Sequence, residues 1–100
     1  MSKYHAKRIN GYASKKEANR AAELHALQAA GVIANLQEQV NIEILPKFPP
    51  YNRPLIYRAD FVYELDGAQV IEDAKGFRTP VYILKKRLLL QLRGLAITEV

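Results

Sequence analysis

The stretch "LIYRADFVYELDGAQVIEDAKG", residues 55–76, decides the fold. Aromatic and β-branched residues, which strands favour, run on both sides of Asp66-Gly67. Asp-Gly is a strong hairpin signal because a tight two-residue turn needs positive φ at its central positions. The stretch therefore predicts one strand ending at the turn and a second, "AQVIEDAK", returning antiparallel. The return strand carries a surprise. Glu72, Asp73 and Lys75 place three charges in four positions, immediately before Gly76 ends the run.

Working outward toward the N-terminus, "QVNIEILPKF" alternates. Val40, Ile42 and Ile44 share one face and Asn41 and Glu43 the other, the pattern of a half-buried strand. Pro46, Pro49, Pro50 and Pro54 mark an irregular loop that contains Tyr51 and Arg53. Before the strand, "SKKEANRAAELHALQAAG" is rich in helix formers. Ser14 followed three residues later by Glu17 is a capping-box pattern, and Gly31 is a suitable stop. Val32 to Leu36 read as a short additional turn, and residues 1–13 as a basic, irregular arm.

Toward the C-terminus, Thr79-Pro80 fits an N-cap and first helical position. "PVYILKKRLLLQLRG" then puts Val81, Leu84, Leu88 and Leu92 on one stripe, Gly94 stops the helix, and "LAITEV" reads as a closing strand. The predicted order is α-β-β-β-α-β. This is an α/β (α+β) fold with a central mixed sheet flanked by two helices, a single domain over residues 1–100.

Composition narrows the class. At 49% hydrophobic and 25% charged, the chain has the make-up of a globular domain rather than a disordered tail. No apolar run approaches the roughly 20 residues of a membrane span. Met1 leads directly into SKYHAKR, with no secretory core, so a soluble cytoplasmic protein is expected. The absence of cysteine excludes a disulfide framework and a thiolate zinc site. A net charge of +5 is compatible with a nucleic-acid partner, although that signal alone is weak.

The hairpin gives the charges a geometry. Asp60 lies six positions before the Asp-Gly turn and Asp73 six after it, so the two are near neighbours across the ladder. Like charges that close repel unless something cationic lies between them. Alternation places Asp73 and Lys75 on one face and Glu72 on the other. Two carboxylates and a lysine on one face can build a divalent-metal site for phosphodiester hydrolysis. Glu17, with Ala21 and Leu24 at i+4 and i+7, sits on the inward stripe of the first helix, and Lys85 shares the stripe of the second. Each feature also has a plainer reading: a solvated hairpin, a capping-box glutamate, a snorkelling lysine. His5 and His25 read as surface residues without metal-ligand spacing, and Tyr51, Tyr57, Tyr63 and Tyr82 as ordinary aromatics. Convergence at one end of one sheet favours the metal site.

The pattern resembles the PD-(D/E)XK nuclease superfamily, whose restriction-endonuclease-like core runs α-β-β-β-α-β. The matching residues are an acid on the first helix, Glu17, an acid on the middle strand, Asp60, and Asp73-Ala74-Lys75. The strings "SKKEANRAAEL", "YRADFVY" and "VIEDAKGFRTPVYILKKRLL" are similar to those of small phage proteins described as endonuclease- or Holliday-junction-resolvase-like. Ala59 stands where the superfamily name has proline, and Glu72 is a second candidate beside Asp73.

The resemblance implies a Mg²⁺- or Mn²⁺-dependent endonuclease acting on DNA, with branched recombination or replication intermediates as candidate substrates. Glu17, Asp60 and Asp73 and the carbonyl of Ala74 would hold the metal, and Lys75 would position the attacking water. Lys3, Lys7, Arg8, Arg78 and Lys85 would contact DNA. The alternatives are an inactive DNA-binding module and a phage structural or interaction protein. A homodimer is expected because cutting both strands needs two sites. The apolar surplus of Leu88, Leu89, Leu90 and Leu92 is its candidate surface.

Overall fold

A computed structural model describes residues 11–74 and 78–100. The elements follow the predicted order: α1 (Lys15–Ala29), β1 (Ala34–Leu45), β2 (Leu55–Leu65), β3 (Ala68–Asp73), α2 (Pro80–Leu88) and β4 (Thr98–Glu99). The four strands form one sheet in the order β1-β2-β3-β4, antiparallel except for the parallel β3–β4 pair.

Local chemistry explains the boundaries. Ser14 Oγ accepts from the Glu17 backbone N–H at 3.1 Å and starts α1. Such a cap contributes about 1 kcal/mol. Thr79 Oγ1 does the same for the Tyr82 N–H at 3.1 Å, with Pro80 at the first helical position of α2. The hairpin turn takes φ of 53° at Asp66 and 81° at Gly67, so Leu65 pairs directly with Ala68. After Leu88 the chain loosens into a π-turn over Leu89–Arg93. It ends at Gly94 with φ 66°, a left-handed conformation that glycine adopts without a Cβ penalty.

The sheet is covered on both faces. Ala21 and Leu24 of α1 pack with Ile33, Phe61, Tyr63 and Ala74. Tyr82 and Leu89 pack on the other face with Ile44, Tyr57, Ala59, Val62, Ile71 and Ile97. Phe61, Leu24 and Leu89 are fully buried, and each such side chain contributes about 1.5–3 kcal/mol relative to exposure.

Two expectations need correction. The turn expected over Val32 to Leu36 is instead the start of β1, which runs from Ala34 with an irregular register between Ala34 and Gln37. The inward stripe of α2 is also rotated. Val81, Leu84 and Leu92 are 61%, 55% and 52% exposed, whereas Tyr82 and Leu89 face the sheet. The anchor is Tyr82: its ring meets that of Tyr57, with centroids 6.2 Å apart, and its hydroxyl donates to Glu99 Oε2 at 2.8 Å. A stripe chosen on aliphatic spacing alone passes over that polar handle. Leu89 likewise belongs to the core, so the surplus apolar surface is Val81, Ile83, Leu84, Leu90 and Leu92.

Candidate functional site: a polar row across the sheet

A half-turn in the two longest strands prepares the site. Along β1, Leu36 packs on the α1 side while Val40, Ile42 and Ile44 pack on the α2 side, although all are even-numbered. Along β2, Tyr57 and Ala59 pack on the α2 side while Phe61 and Tyr63 pack on the α1 side, although all are odd-numbered. Period-two alternation cannot do this without a break. The break lies at Gln39 and Asp60, which face each other between the pairs Glu38↔Phe61 and Val40↔Ala59. Gln39 has φ 54°, a left-handed conformation that is uncommon for a residue with a Cβ. Such positions collect at functional sites, where the surroundings hold them in place.

Asp60 continues the row. Phe61 pairs with Glu72, so the next step of the same ladder sets Asp60 against Asp73, and Asp73 pairs in turn with Glu99 of β4. One transverse row, Gln39–Asp60–Asp73–Glu99, therefore crosses all four strands. Neighbouring strands lie about 4.8 Å apart. Glu17 reaches the row from α1. It is 6% exposed, and its Oε2 accepts from Gln39 Nε2 at 2.7 Å. The same amide nitrogen lies 3.5 Å from Asp60 Oδ1. Asp60 Oδ2 accepts from the Ala74 N–H at 2.9 Å, which ties the carboxylate to the end of β3.

Asp73 and Glu72 point to opposite faces, as alternation requires. Asp73 is fully buried and accepts from the Tyr57 hydroxyl. Glu72, 1% exposed, turns to the α1 side, where Arg20 grips both oxygens at 2.8 and 2.6 Å and Tyr63 donates a further hydrogen bond. That fork fixes α1 to β3. The ambiguity between Glu72 and Asp73 is thereby explained in part: Glu72 is engaged as a structural anion.

Glu99 accepts from Tyr82 and pairs with Lys86 at 3.2 Å and with Arg78. The hydrogen bond from Tyr82 and then the Lys86 charge hold its carboxyl below the ordinary range. Lys86 thus occupies the position beside the sheet that the sequence assigned to Lys85, which is half-buried on the same helix. Arg78 keeps an exposed guanidinium despite its ion pair. Lys15 and Lys16, both exposed, flank Glu17 in the first turn of α1 and were not singled out from the sequence. His25 is exposed and contacts Glu38 at 2.7 Å. Lys3, Lys7, Arg8, His5 and the proposed catalytic Lys75 lie outside the described residues.

Burial is the main reason that the Tyr57 hydroxyl is held well above its ordinary value of 10.0, followed by its bond to Asp73 and the charge of Asp60. Tyr82 and Tyr63 are raised for the same first reason, helped by Glu99 and Glu72 respectively. The sign follows from linkage. A folded state that keeps these protons is fully stabilised below pH 10.0 and loses that stabilisation as pH rises through the folded values. The melting temperature should stay level from neutral pH to about 9 and fall above about 10, less steeply in Tyr57→Phe. Thermal melts across pH 7–11 check this.

The donor set suits a hard divalent cation. Among the described residues no group of three His, Cys, Asp or Glu side chains is placed to hold one. Mg²⁺, however, is commonly held by one or two carboxylates with water completing the shell. Glu17 Oε2 and Asp60 Oδ1 both face one donor, the Gln39 amide, and a cation could take the place of that donor. Gln39 was missed because a glutamine in an alternating strand reads as a solvent-facing residue.

Over residues 1–98 the sequence matches the family described as "Protein of unknown function (DUF1064)", and the chain belongs to that family. No curated protein and no solved structure matches it. No helix among the described residues is long and apolar enough to cross a membrane.

Proposed function

We propose that the chain is a metal-dependent DNA endonuclease of PD-(D/E)XK type, phage-encoded and acting in the host cytoplasm, with branched recombination or replication intermediates as its candidate substrates. The observation that carries this reading is the transverse row. Acidic side chains stand in register at one level of the sheet, in a chain of net charge +5, and a buried glutamate from α1 reaches the same level. A protein that only grips DNA gains nothing from acids aligned where phosphate must approach. This weighs against an inactive binding module or a purely structural role.

Glu17 and Asp60 would hold Mg²⁺ or Mn²⁺, with the Ala74 carbonyl as a further ligand; Asp73, which accepts from Tyr57 on the other face, would have to turn to join them. The cation supplies positive charge at the scissile phosphate. Asp60, fixed by the Ala74 N–H, keeps one oxygen directed toward Gln39. Tyr57 orients Asp73. Lys75 would orient the attacking water and stabilise charge developing on the phosphate. Lys3, Lys7, Arg8, Arg78 and Lys85, joined by Lys15 and Lys16, would contact the DNA backbone and make binding salt-dependent. The apolar side chains that α2 leaves exposed are the proposed homodimer surface, which would pair two sites for two strands.

Glu17→Gln provides the test. Glutamine leaves intact the Ser14 cap, which accepts from the backbone N–H of residue 17, and keeps an oxygen to accept from Gln39, but not the charge. Calorimetric titration with Mn²⁺ should detect binding to the wild type and at least about tenfold weaker binding to Glu17→Gln, since a hard cation needs its carboxylates. Melting temperatures of the two proteins should agree. No Mn²⁺ binding by the wild type, or equal binding by both, would overturn the assignment.

A further inference from the structure

The loop between β1 and β2 has a surface that the proposed site does not use. Phe48 and Tyr51 are each 74% exposed, the most exposed of the large apolar side chains among the described residues. They are paired by a tight bend in which the Tyr51 N–H donates to the Phe48 carbonyl at 2.7 Å. With Leu45, Pro46, Arg53, Pro54 and Leu55 they line a pocket of about 340 Å³. Prolines at 46, 49, 50 and 54 fix φ through the loop, so holding the rings outward costs little further conformational entropy on binding.

Charge selects the occupant. From Ile44 to Ala59 the sequence contains Lys47, Arg53 and Arg58, all exposed, and no acid. Exposed rings interleaved with cations and free of carboxylates match unpaired nucleotides, whose bases stack on aromatics while their phosphates meet Lys and Arg. A hydrophobic protein partner would need the rings but not the cations.

Topology places this loop relative to the site. Asp60 is five residues beyond Leu55, the first residue of β2, and at about 3.4 Å per residue the strand start lies about 17 Å from it. Because β3 runs antiparallel to β2, Asp73 and Ala74 lie toward the loop end of the hairpin, away from the Asp66-Gly67 turn.

We infer that the Phe48/Tyr51 loop is a stacking platform for unpaired bases of single-stranded DNA, on the side of the hairpin toward which Asp73 and Ala74 lie. This rests on the reading of DNA as the substrate. It adds that the substrate presents unpaired bases on the loop side of the cut.

The chain contains no tryptophan, so Phe48→Trp introduces a single indole reporter. In metal-free buffer, a mixed-sequence single-stranded oligodeoxynucleotide should quench that indole, a blunt duplex of the same sequence much less, and the matching RNA should bind no tighter than the DNA. Phe48→Ala/Tyr51→Ala should weaken single-strand affinity, measured by fluorescence anisotropy, by about tenfold or more for each ring lost. No quenching, tighter binding of RNA, or single-strand affinity unchanged in the double variant each overturns the inference, and the last leaves the pocket to a protein partner. Metal-free binding does not involve cleavage. A failed platform therefore leaves the endonuclease reading intact, whereas inactive protein that still stacks single strands would refute only the endonuclease.

Discussion

Asp60→Asn should lose metal-dependent cleavage by about 10²- to 10³-fold or more, while melting within a few degrees of the wild type. The loss is large because Asp60 stands at the centre of the row, between Gln39 and Asp73. Its carboxylate also meets the amide that contacts Glu17. Asparagine retains an oxygen to accept from the Ala74 N–H, so the tie to β3 survives. It also removes one of two like charges facing each other across the ladder, a change that does not harm stability in the absence of metal. Single-turnover cleavage at saturating DNA, alongside thermal melts in metal-free buffer, measures both halves. Wild-type cleavage by Asp60→Asn would exclude it from the site. Loss of activity accompanied by unfolding would make Asp60 a structural residue.

The opposite pattern is expected one strand over. Arg20→Ala should cost about 3–5 kcal/mol of stability, because it strips the guanidinium from a carboxylate that is 1% exposed. For a domain of this size that corresponds to a fall in melting temperature of roughly 15 °C or more. Arg20 is itself partly exposed, and water reaching Glu72 recovers some of the loss, so a value at the lower end of the range is expected. Whatever fraction remains folded should still bind metal, since Glu72 serves the α1–β3 junction rather than the row. Urea unfolding of the variant, followed by Mn²⁺ titration of the folded protein, checks both points. A melting temperature within two or three degrees of wild type, roughly half a kcal/mol, would show that the fork does not hold α1 to the sheet.

These two residues mark how far the sequence could be read. The hairpin was legible because Asp66-Gly67 permits only a tight turn, and that turn alone sets Asp60 against Asp73. Both helix starts were legible because Ser14 and Thr79-Pro80 satisfy a local chemistry independent of the rest of the fold. What lay hidden depends on partners distant in sequence. The half-turn at Gln39 and Asp60 violates alternation, so counting faces outward from Val40 cannot foresee that Gln39 meets Glu17. Arg20 is an ordinary helical arginine until β3 brings Glu72 beneath it, 52 residues later. The facing stripe of α2 was misjudged because a tyrosine with a carboxylate partner outweighed a neater row of leucines.

Glu99 shows the same limit from another direction. A two-residue terminal strand carries almost no pattern, yet its parallel pairing extends the polar row to the sheet edge, where Lys86 and Arg78 balance its charge.

The most direct measurement is a cleavage panel with the wild-type protein. Blunt duplex, single strand, flap and four-way junction would each be incubated with Mg²⁺, with Mn²⁺ and with chelator, and the products resolved at nucleotide level. The account predicts endonucleolytic products that appear with either metal, vanish with chelator and are most abundant on substrates that combine a duplex with unpaired bases. Intact DNA in every lane, from protein shown to be folded and able to bind the same substrates, would contradict it.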